Sequence, residues 1–317
     1  MLTLGPARAS QSYRHEAFLW NGRADFVDGL LPFIEEGVDA GEAVLVAAIP
    51  EHEEWLADGL GTKASQVHFV DMTRLGSNPA RIIPACHQFL EDWSGYGRPA
   101  RAVGEPLWDG RRPEEVLESQ LHEALMNVAI DPDMPFWVLC PYDAGHLDAQ
   151  VLAEASRSHP ALATTASYQG SRSYRGHHHA QTMFARDLPP MDGPATVINV
   201  TQTGLAGTAE KVTLQAASGD LRSDQVVSLT HAVSRLAEES LNRAAGRLTV
   251  RIWDRPDDLV CEVADTTVIR DLLAGRRPPQ PPADDAIWLA NQVCDLVQVR
   301  SSDSGTTIRM HMRKGGS

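Results

Sequence analysis

In the first half of the chain, short apolar runs alternate with stretches of helical periodicity. The apolar runs are AVLVAAI (43–49), QVHFVD (66–71), ARAVGE (100–105) and FWVLC (136–140), and the helical patterns lie near residues 24–39, 51–60, 78–93, 113–129 and 148–157. Strands that are apolar on both faces and alternate with helices are typical of a largely parallel sheet with helices on both faces. The pattern therefore predicts an α/β domain over residues 1–162.

The alternation stops after about residue 160. Residues 163–194 are poor in large aliphatic side chains and rich in Ser, Gly, Pro, Arg and His. This composition predicts a linker that is at most partly ordered.

A different order of elements follows the linker. Helices are predicted near 208–217, 222–245 and 285–293, and strands at 247–253, 259–264, 295–300 and 305–312. This order predicts an α+β two-layer sandwich over residues 195–317. The segment RDLLAGRRPPQPPADD (270–285) contains several prolines, which exclude regular structure and predict a mobile loop in which Arg276 and Arg277 are solvated.

Composition and charge narrow the functional classes. The chain has 317 residues, 43% of them hydrophobic and 22% charged, and contains neither a bilayer-length apolar run nor a recognisable signal peptide, so we expect a cytoplasmic protein. Its formal net charge of −14 repels polyanions and disfavours direct binding of nucleic acid. A protein partner or a small molecule is the better expectation.

The residues that could bind a metal are scattered. Cys86, Cys140, Cys261 and Cys294 occur singly, without the paired spacing of a zinc site or a redox dithiol, so we interpret them as reduced thiols. The tract His177–His179 is interpreted as an exposed loop with at best a weak metal affinity. No resident metal is predicted.

Residues 205–313 resemble the ATPase domain shared by sensor histidine kinases and the serine kinases that act as anti-sigma factors. The phrases that carry the resemblance are AVSRLAEESLNRAAGRLTVRIWD, VCEVADTT, IWLANQVCDLVQVRS and GTTIRMHM. The resemblance implies a general base and a magnesium ligand on the first long helix, where this chain has Arg235 and Glu239. Arginine cannot act as a base at neutral pH, and a carboxylate at the magnesium position adds negative charge beside a triphosphate.

The nucleotide-binding elements of that family are only partly present. Asp265 stands at the adenine-binding position, but the two glycines that should follow it are absent from Asp265-Thr266-Thr267-Val268-Ile269. Ala283-Asp284-Asp285-Ala286 replaces the second glycine-rich phosphate loop, and two aspartates there repel phosphate. Gly305 and Thr306 match a late Gly-Thr element. We therefore expect a degenerate domain in which Asp265, Gly305 and Thr306 are the residual nucleotide-binding residues, and binding of ATP with magnesium is disfavoured.

Residues 13–162 resemble the methanogen/methylotroph-type sensory domain, abbreviated MEDS, which is found fused to such ATPase domains in actinobacterial regulators. The phrases are HEAFLWNG, GEAVLVAAIPEH, NPARIIPA, GEPLWDGRRPEE, QLHEALMN, FWVLCPYDAGHLD and SHPAL. The resemblance implies a recombinase-like, P-loop-related fold. The strand AVLVAAI nevertheless continues into Pro50-Glu51-His52-Glu53-Glu54 instead of a phosphate loop, so this domain is not expected to hydrolyse a nucleotide.

A ligand site is predicted at the carboxyl ends of the parallel strands and on helix 113–129. Trp108 and Tyr142 are expected to form walls, with His15, Glu105 and Glu123 as polar anchors for a small amphipathic ligand or a metal complex. The candidate residues are His15, Glu16, Glu105, Trp108, Gln120, His122, Glu123, Tyr142 and Asp143. No catalytic residue is assigned, because no Ser or Cys lies in a nucleophile motif.

Three functions remain open. The preferred interpretation is a signal-transduction regulator that senses a ligand through the first domain and binds a sigma factor, an anti-sigma antagonist or another regulatory protein through the second. The alternatives are an active serine or histidine kinase with atypical motifs and a small-molecule enzyme built on the first domain. A homodimer is compatible with each of these interpretations, and the sequence leaves the oligomeric state open.

Overall fold

The structure is a computed structural model that describes residues 12–94, 99–243, 248–280 and 285–315. The chain divides into two compact units, Met1–Ala180 and Gln181–Ser317. We refer to them as the first and second units.

The first unit contains a seven-stranded sheet. Its strands are β1 (Arg14–Trp20), β2 (Ala43–Ala48), β3 (His68–Asp71), β4 (Ala100–Gly104), β5 (Phe136–Asp143), β6 (Ala161–Ala163) and β7 (Tyr168–Gly170). The spatial order is β3-β2-β4-β5-β1-β6-β7, and all neighbouring pairs are parallel except β6 and β7, which are antiparallel. The predicted α/β class with a mostly parallel sheet is confirmed.

The helices that begin in this unit are α1 (Arg23–Asp39), α2 (Pro50–Leu60), α3 (Met72–Leu75), α4 (Ile82–Phe89), α5 (Pro113–Ala129), α6 (Ala149–Ser158) and α7 (Gly176–Ala185), the last of which ends in the second unit. Helices α1, α2, α4, α5 and α6 lie at predicted positions, whereas α3 and α7 were not predicted. Proline occupies the first position of α2 and of α5, and acidic residues follow it in the first turn. Both features stabilise a helix N-terminus. The first amides of a helix have no partner within the helix, so the missing N–H of proline loses no hydrogen bond, and carboxylates interact favourably with the helix dipole.

The two faces of the sheet are built differently. Val44, Val46 and Ala48 of β2 lie in a large apolar cluster with Phe26, Leu30 and other side chains of α1 and α2. Strand residues alternate between faces, so Leu45 and Ala47 point to the opposite side, which α3, α4 and α5 cover. That second face carries the cavity described below.

Strands β1, β6 and β7 were not predicted from the sequence. β1 was not predicted as a strand, yet it lies between β5 and β6, and the Arg14–Trp20 segment is mostly buried. The segment expected to be a linker contains β7 and α7, and α7 includes His177–His179. The prediction that this histidine tract is an exposed loop was wrong, because the tract is helical and His179 is buried beside Glu154. Short edge strands need few large aliphatic side chains, so composition gave little sign of β7.

In the described part of the second unit, a five-stranded antiparallel sheet is accompanied by three helices that follow α7. The strands are β8 (Thr196–Val200), β9 (Leu248–Asp254), β10 (Asp258–Asp265), β11 (Leu296–Ser302) and β12 (Gly305–Arg313), in the order β11-β12-β10-β9-β8. The helices are α8 (Leu205–Ser218), α9 (Ser223–Arg243) and α10 (Ala286–Val293). The predicted elements are confirmed, and β8 is an additional edge strand.

The segment between β10 and α10 has no regular structure over 266–280, as its prolines predict, but part of it is anchored. The amide of Ile269 donates to Ser301 Oγ (2.8 Å), and Asn291 Nδ2 donates to the carbonyl of Gly275 (2.8 Å). Arg276 is buried, so the prediction that it is solvated was wrong. The hydrogen bond from Asn291 of α10 holds the chain at Gly275 in place, and this long-range contact could not be predicted from the local sequence.

Among the described residues, no helix combines the length and the apolar character that crossing a bilayer requires.

Candidate ligand-binding site

A cavity of about 320 Å³ lies on the second face of the first sheet. Its walls come from β2, β3, β4 and β5 and from helices α3, α4 and α5, and they are largely apolar. Representative lining residues are Leu45, Val70, Met72, Ile82, Phe89, Ala102, Met126 and Val138. Its volume is at the lower end of the range usual for small-molecule pockets.

Polar groups line part of this cavity. His122 and Glu123 reach it from α5, and the thiols of Cys86 and Cys140 lie in its wall. The sequence analysis predicted His122 and Glu123 as ligand residues. An apolar chamber with a few polar groups suits a small amphipathic molecule.

Glu123 also belongs to a buried polar cluster with His15, Cys140 and His159, which we call the His-Glu-Cys cluster. Glu123 Oε2 lies 2.7 Å from His159 Nε2 and 3.2 Å from His15 Nε2, and Cys140 Sγ lies 3.4 Å from His15 Nε2. His15 lies on β1, Glu123 on α5 and Cys140 on β5, and His159 directly follows α6. One ligand atom from each residue lies within 4.8 Å of all the others, so these side chains could hold a metal.

Burial and neighbouring side chains together set the charges in the His-Glu-Cys cluster. Burial, assisted by the neighbouring His159, lowers the pKa of His15, which favours its neutral form. Burial by itself would raise the pKa of Glu123, but the two imidazoles outweigh it and hold that pKa well below its ordinary value. Burial and the Glu123 carboxylate raise the pKa of the Cys140 thiol well above its ordinary value. The isolated cluster therefore contains a carboxylate and a protonated thiol.

Glu105 lies at the carboxyl edge of the sheet, and it pairs with a residue that the sequence analysis did not select. His52 Nδ1 is 2.8 Å from Glu105 Oε1, and the amide of Ile49 donates to Glu105 Oε2 at 3.1 Å. Burial raises the pKa of Glu105, although His52 opposes the shift. The position of His52 just beyond β2 was the available signal. The residues lining the cavity include Glu123 but not Glu105, so the structure separates these two predicted anchors.

The remaining predicted residues of the first unit are spread around the sheet. Glu16 is buried and accepts hydrogen bonds from Arg14 and Tyr168 (both 2.8 Å). The ring of Tyr142 contacts His159 edge-on, with 5.6 Å between centroids, and the Arg111 guanidinium lies 4.1 Å above the Trp108 ring. Gln120 is buried on α5, and Asp143 is 2.7 Å from His146 Nδ1. Trp108 and Tyr142 do not line the cavity.

In the second unit, the three residual nucleotide-binding candidates lie together. The Asp265 carboxylate accepts hydrogen bonds from Ser240 Oγ and from the amide of Thr267 (2.7 Å). Thr306 Oγ1 donates to the Thr267 carbonyl (2.7 Å), and Gly305 pairs with Ser302 at the turn between β11 and β12. The side chains of Asp265 and Thr306 therefore already form hydrogen bonds with neighbouring residues of the second unit.

Arg235 and Glu239, the two residues of α9 predicted to depart from the ATPase pattern, also have partners within the chain. Arg235 forms an ion pair with Glu238. Glu239 Oε2 accepts the amide of Ala286 at 3.1 Å, and Asp285 Oδ1 accepts the amides of Ile287 and Trp288. Two carboxylates thus cap α10, where the resemblance implies a phosphate loop. Ala283 and Asp284 of that predicted loop lie outside the described residues.

The first unit can now be compared with known proteins. Residues 14–160 match the MEDS family model, described as the methanogen/methylotroph, DcmR sensory domain. The MEDS match spans β1 to α6 and includes all four residues of the His-Glu-Cys cluster. It agrees with the resemblance identified from the sequence phrases of residues 13–162.

A search of curated proteins found no match. A solved structure of the RsbU and RsbW domains of a Mycobacterium tuberculosis protein is similar at 14% identity, with a TM-score of 0.28. The match covers 38% of this chain and 32% of that one, so this chain spans about a third of the solved chain's length. A TM-score this low supports no conclusion about fold or function.

Proposed function

We propose that this protein is a signal-transduction regulator whose MEDS-like unit binds a small amphipathic molecule. The observation that carries the proposal is the apolar cavity on the second face of the sheet, which has Glu123 and Cys140 in its wall. The MEDS match supports a sensory role for the same unit.

The lining defines the ligand class. The apolar side chains that line the cavity favour an aliphatic chain, because burying its surface contributes about 25 cal/mol per Å² to the free energy of binding. A hydroxyl at one end of that chain can donate a hydrogen bond to the Glu123 carboxylate. A short aliphatic alcohol is therefore a suitable probe of the site.

The second unit is proposed to act as a binding module without nucleotide chemistry. Support comes from α10, whose N-terminal amides bond to Asp285 and Glu239 and so are not available to phosphate. The Asp265 carboxylate, which would have to accept the adenine amino group, already accepts bonds from Ser240 and Thr267. The proposed partner is a regulatory protein, with a sigma factor or an anti-sigma antagonist as the class that the sequence resemblance implies.

Filling the cavity tests the sensory proposal. A Cβ added at Gly104, which lines the cavity at the end of β4, meets no atom within 4 Å. Gly104→Val should therefore fold and occupy ligand space. At ten times its Kd, 1-hexanol should stabilise the unsubstituted chain by about 1.4 kcal/mol and raise its Tm by about 3–5 °C. The shift should fall to near zero in Gly104→Val.

Gly170→Val is the matched control, because it makes the same change in exposed strand β7, outside the cavity. It should retain the full 1-hexanol shift. Equal shifts in the unsubstituted chain and in Gly104→Val would show that the alcohol acts elsewhere and would overturn the cavity as the ligand site.

A further inference from the structure

The His-Glu-Cys cluster places two imidazole Nε2 atoms, those of His15 and His159, against one carboxylate oxygen, Glu123 Oε2. His159 Nδ1 is 2.8 Å from the carbonyl of Ala155, which can only accept, so this nitrogen carries the proton. In neutral His159 the lone pair is then on Nε2, 2.7 Å from Glu123 Oε2. Two acceptors at that distance repel each other unless a cation or a proton lies between them.

The same reasoning applies to His15. Asn127 Nδ2 donates to the Ser158 carbonyl at 2.7 Å, which orients the amide so that Asn127 Oδ1 accepts from His15 Nδ1 at 3.3 Å. The lone pair of neutral His15 is therefore on Nε2, which faces Glu123 and Cys140. Metal-ligating histidines are typically held in this way, by a bond from the other ring nitrogen.

The spacing of the four side chains fits a tetrahedral ion. With zinc bonds of about 2.0–2.3 Å, neighbouring ligand atoms of a tetrahedral site are about 3.3–3.6 Å apart. Three of the six separations between the ligand atoms are 2.7, 3.2 and 3.4 Å, and the other three are at most 4.8 Å, so the side chains must shift to reach ideal tetrahedral spacing. The donor set of two imidazoles, one thiolate and one carboxylate consists of ligands that zinc commonly uses.

Charge favours a divalent ion over protonation of both imidazoles, and the metal titration described below distinguishes the ion from a single proton shared by His159 and Glu123. Protonating both imidazoles would bury two cations with ring centroids 4.1 Å apart and only one carboxylate in the cluster to compensate. A divalent ion with the Glu123 carboxylate and a Cys140 thiolate gives a net charge of zero. Buried charges persist in proteins when they are compensated in this manner.

We propose that His15, Glu123, Cys140 and His159 form a binding site for a divalent transition-metal ion, with Zn²⁺ as the reference ion. On binding, the S–H bond of Cys140 breaks, a sulfur–metal bond forms, and one proton passes to solvent. Glu123 and Cys140 line the cavity, which gives the ion a route to the site. The proposal does not depend on the cavity binding an alcohol.

The test uses the full chain, stripped of metal by a chelator and carrying His177→Ala and His178→Ala to remove the two exposed histidines of α7. Titration with Co²⁺ should give one ion per chain, a thiolate-to-cobalt charge-transfer band and the intense visible bands of a tetrahedral site. In weak buffer, Zn²⁺ should release about one proton per ion. Zinc absorption spectroscopy of the same chain should show one sulfur neighbour at about 2.3 Å and nitrogen or oxygen neighbours at about 2.0–2.2 Å.

Two serine variants show which cysteine supplies the sulfur ligand. Cys140→Ser should abolish the charge-transfer band and weaken binding by at least about a hundredfold, because losing even an outer-shell partner costs about 10–100-fold. Cys86→Ser is the matched control, since Cys86 is buried and lines the same cavity but lies outside the cluster. It should keep the band.

No bound ion in the parent chain, no sulfur neighbour in the zinc spectrum, or loss of the band in Cys86→Ser with retention in Cys140→Ser would each overturn the proposal. The zinc spectrum requires no cysteine variant, so the test holds even if Cys140→Ser fails to fold.

Discussion

Arg101→Ala is expected to lower the free energy of unfolding by about 3–5 kcal/mol, because it leaves a buried carboxylate without its counterion. The Arg101 and Glu42 side chains are each 3% exposed, and Arg101 Nε is 2.5 Å from Glu42 Oε2. Arg101 also donates to the carbonyl of Phe33 at 2.9 Å, and its guanidinium lies 5.2 Å from the ring centroids of Phe33 and Trp137. Urea unfolding followed by circular dichroism at pH 7 measures the loss.

Two further variants separate the causes of that loss. Glu36→Ala removes a partner that is 41% exposed and should cost less than about 1 kcal/mol. Adding Glu42→Leu to Arg101→Ala should recover part of the stability, since it removes the unpaired charge. A loss below about 1 kcal/mol in Arg101→Ala alone would mean that solvent reaches Glu42.

Gly305→Ala is expected to cost about 2–4 kcal/mol, because Gly305 combines an unfavourable backbone angle with a close approach. Its φ is +130°, and a Cβ built there lies 2.1 Å from the carbonyl oxygen of Asp265. The clash is with backbone, so no side-chain rotation relieves it. Urea unfolding measures this loss as well.

Gly207→Ala provides the comparison for the second unit. Gly207 is exposed on α8, and a Cβ there meets nothing within 4 Å, so alanine should be neutral or stabilise the helix by up to about 1 kcal/mol. If Gly305→Ala were as harmless as Gly207→Ala, the backbone approach at the start of β12 would be relaxed in solution. The structural requirement for Gly305 exists whether or not a nucleotide binds.

Much of the fold could be predicted from the sequence, because apolar residues recur with different periods in strands and in helices. The apolar runs that became β2 and β4, and the helical patterns that became α1 and α5, are long and regular. β1 was overlooked because it is the first element, with no preceding helix to mark the alternation. β7 is a short, exposed edge strand, which leaves little hydrophobic pattern to detect.

The His-Glu-Cys cluster was harder to predict, because its residues come from different elements. The order of strands in a sheet cannot be deduced from the local sequence of each strand. His15 and Cys140 meet because β1 and β5 are neighbours, although they are 125 residues apart in the chain. His159 joins them from the end of α6. Glu123 was selected from the helical spacing of polar residues, but only the topology shows that it lies between the cavity and the two histidines.

The start of α10 shows what sequence and structure each contribute. The sequence analysis identified Glu239 and Asp285 as departures from the pattern of the ATPase family that the second unit resembles. The structure adds that both carboxylates accept amides of α10, so each has a stabilising role in place of the expected chemistry. Such capping bonds contribute about 0.5–2 kcal/mol.

Hydrogen exchange of the full chain tests most directly the central claim, that the first unit binds a small molecule while the second performs no nucleotide chemistry. The chain is measured alone, with saturating 1-hexanol, and with millimolar ATP and magnesium. We predict slower exchange in α4 and α5 with 1-hexanol, and no change at residues 265–307 with ATP. Unchanged exchange around the cavity with the alcohol, or protection of residues 265–307 by ATP, would contradict the account.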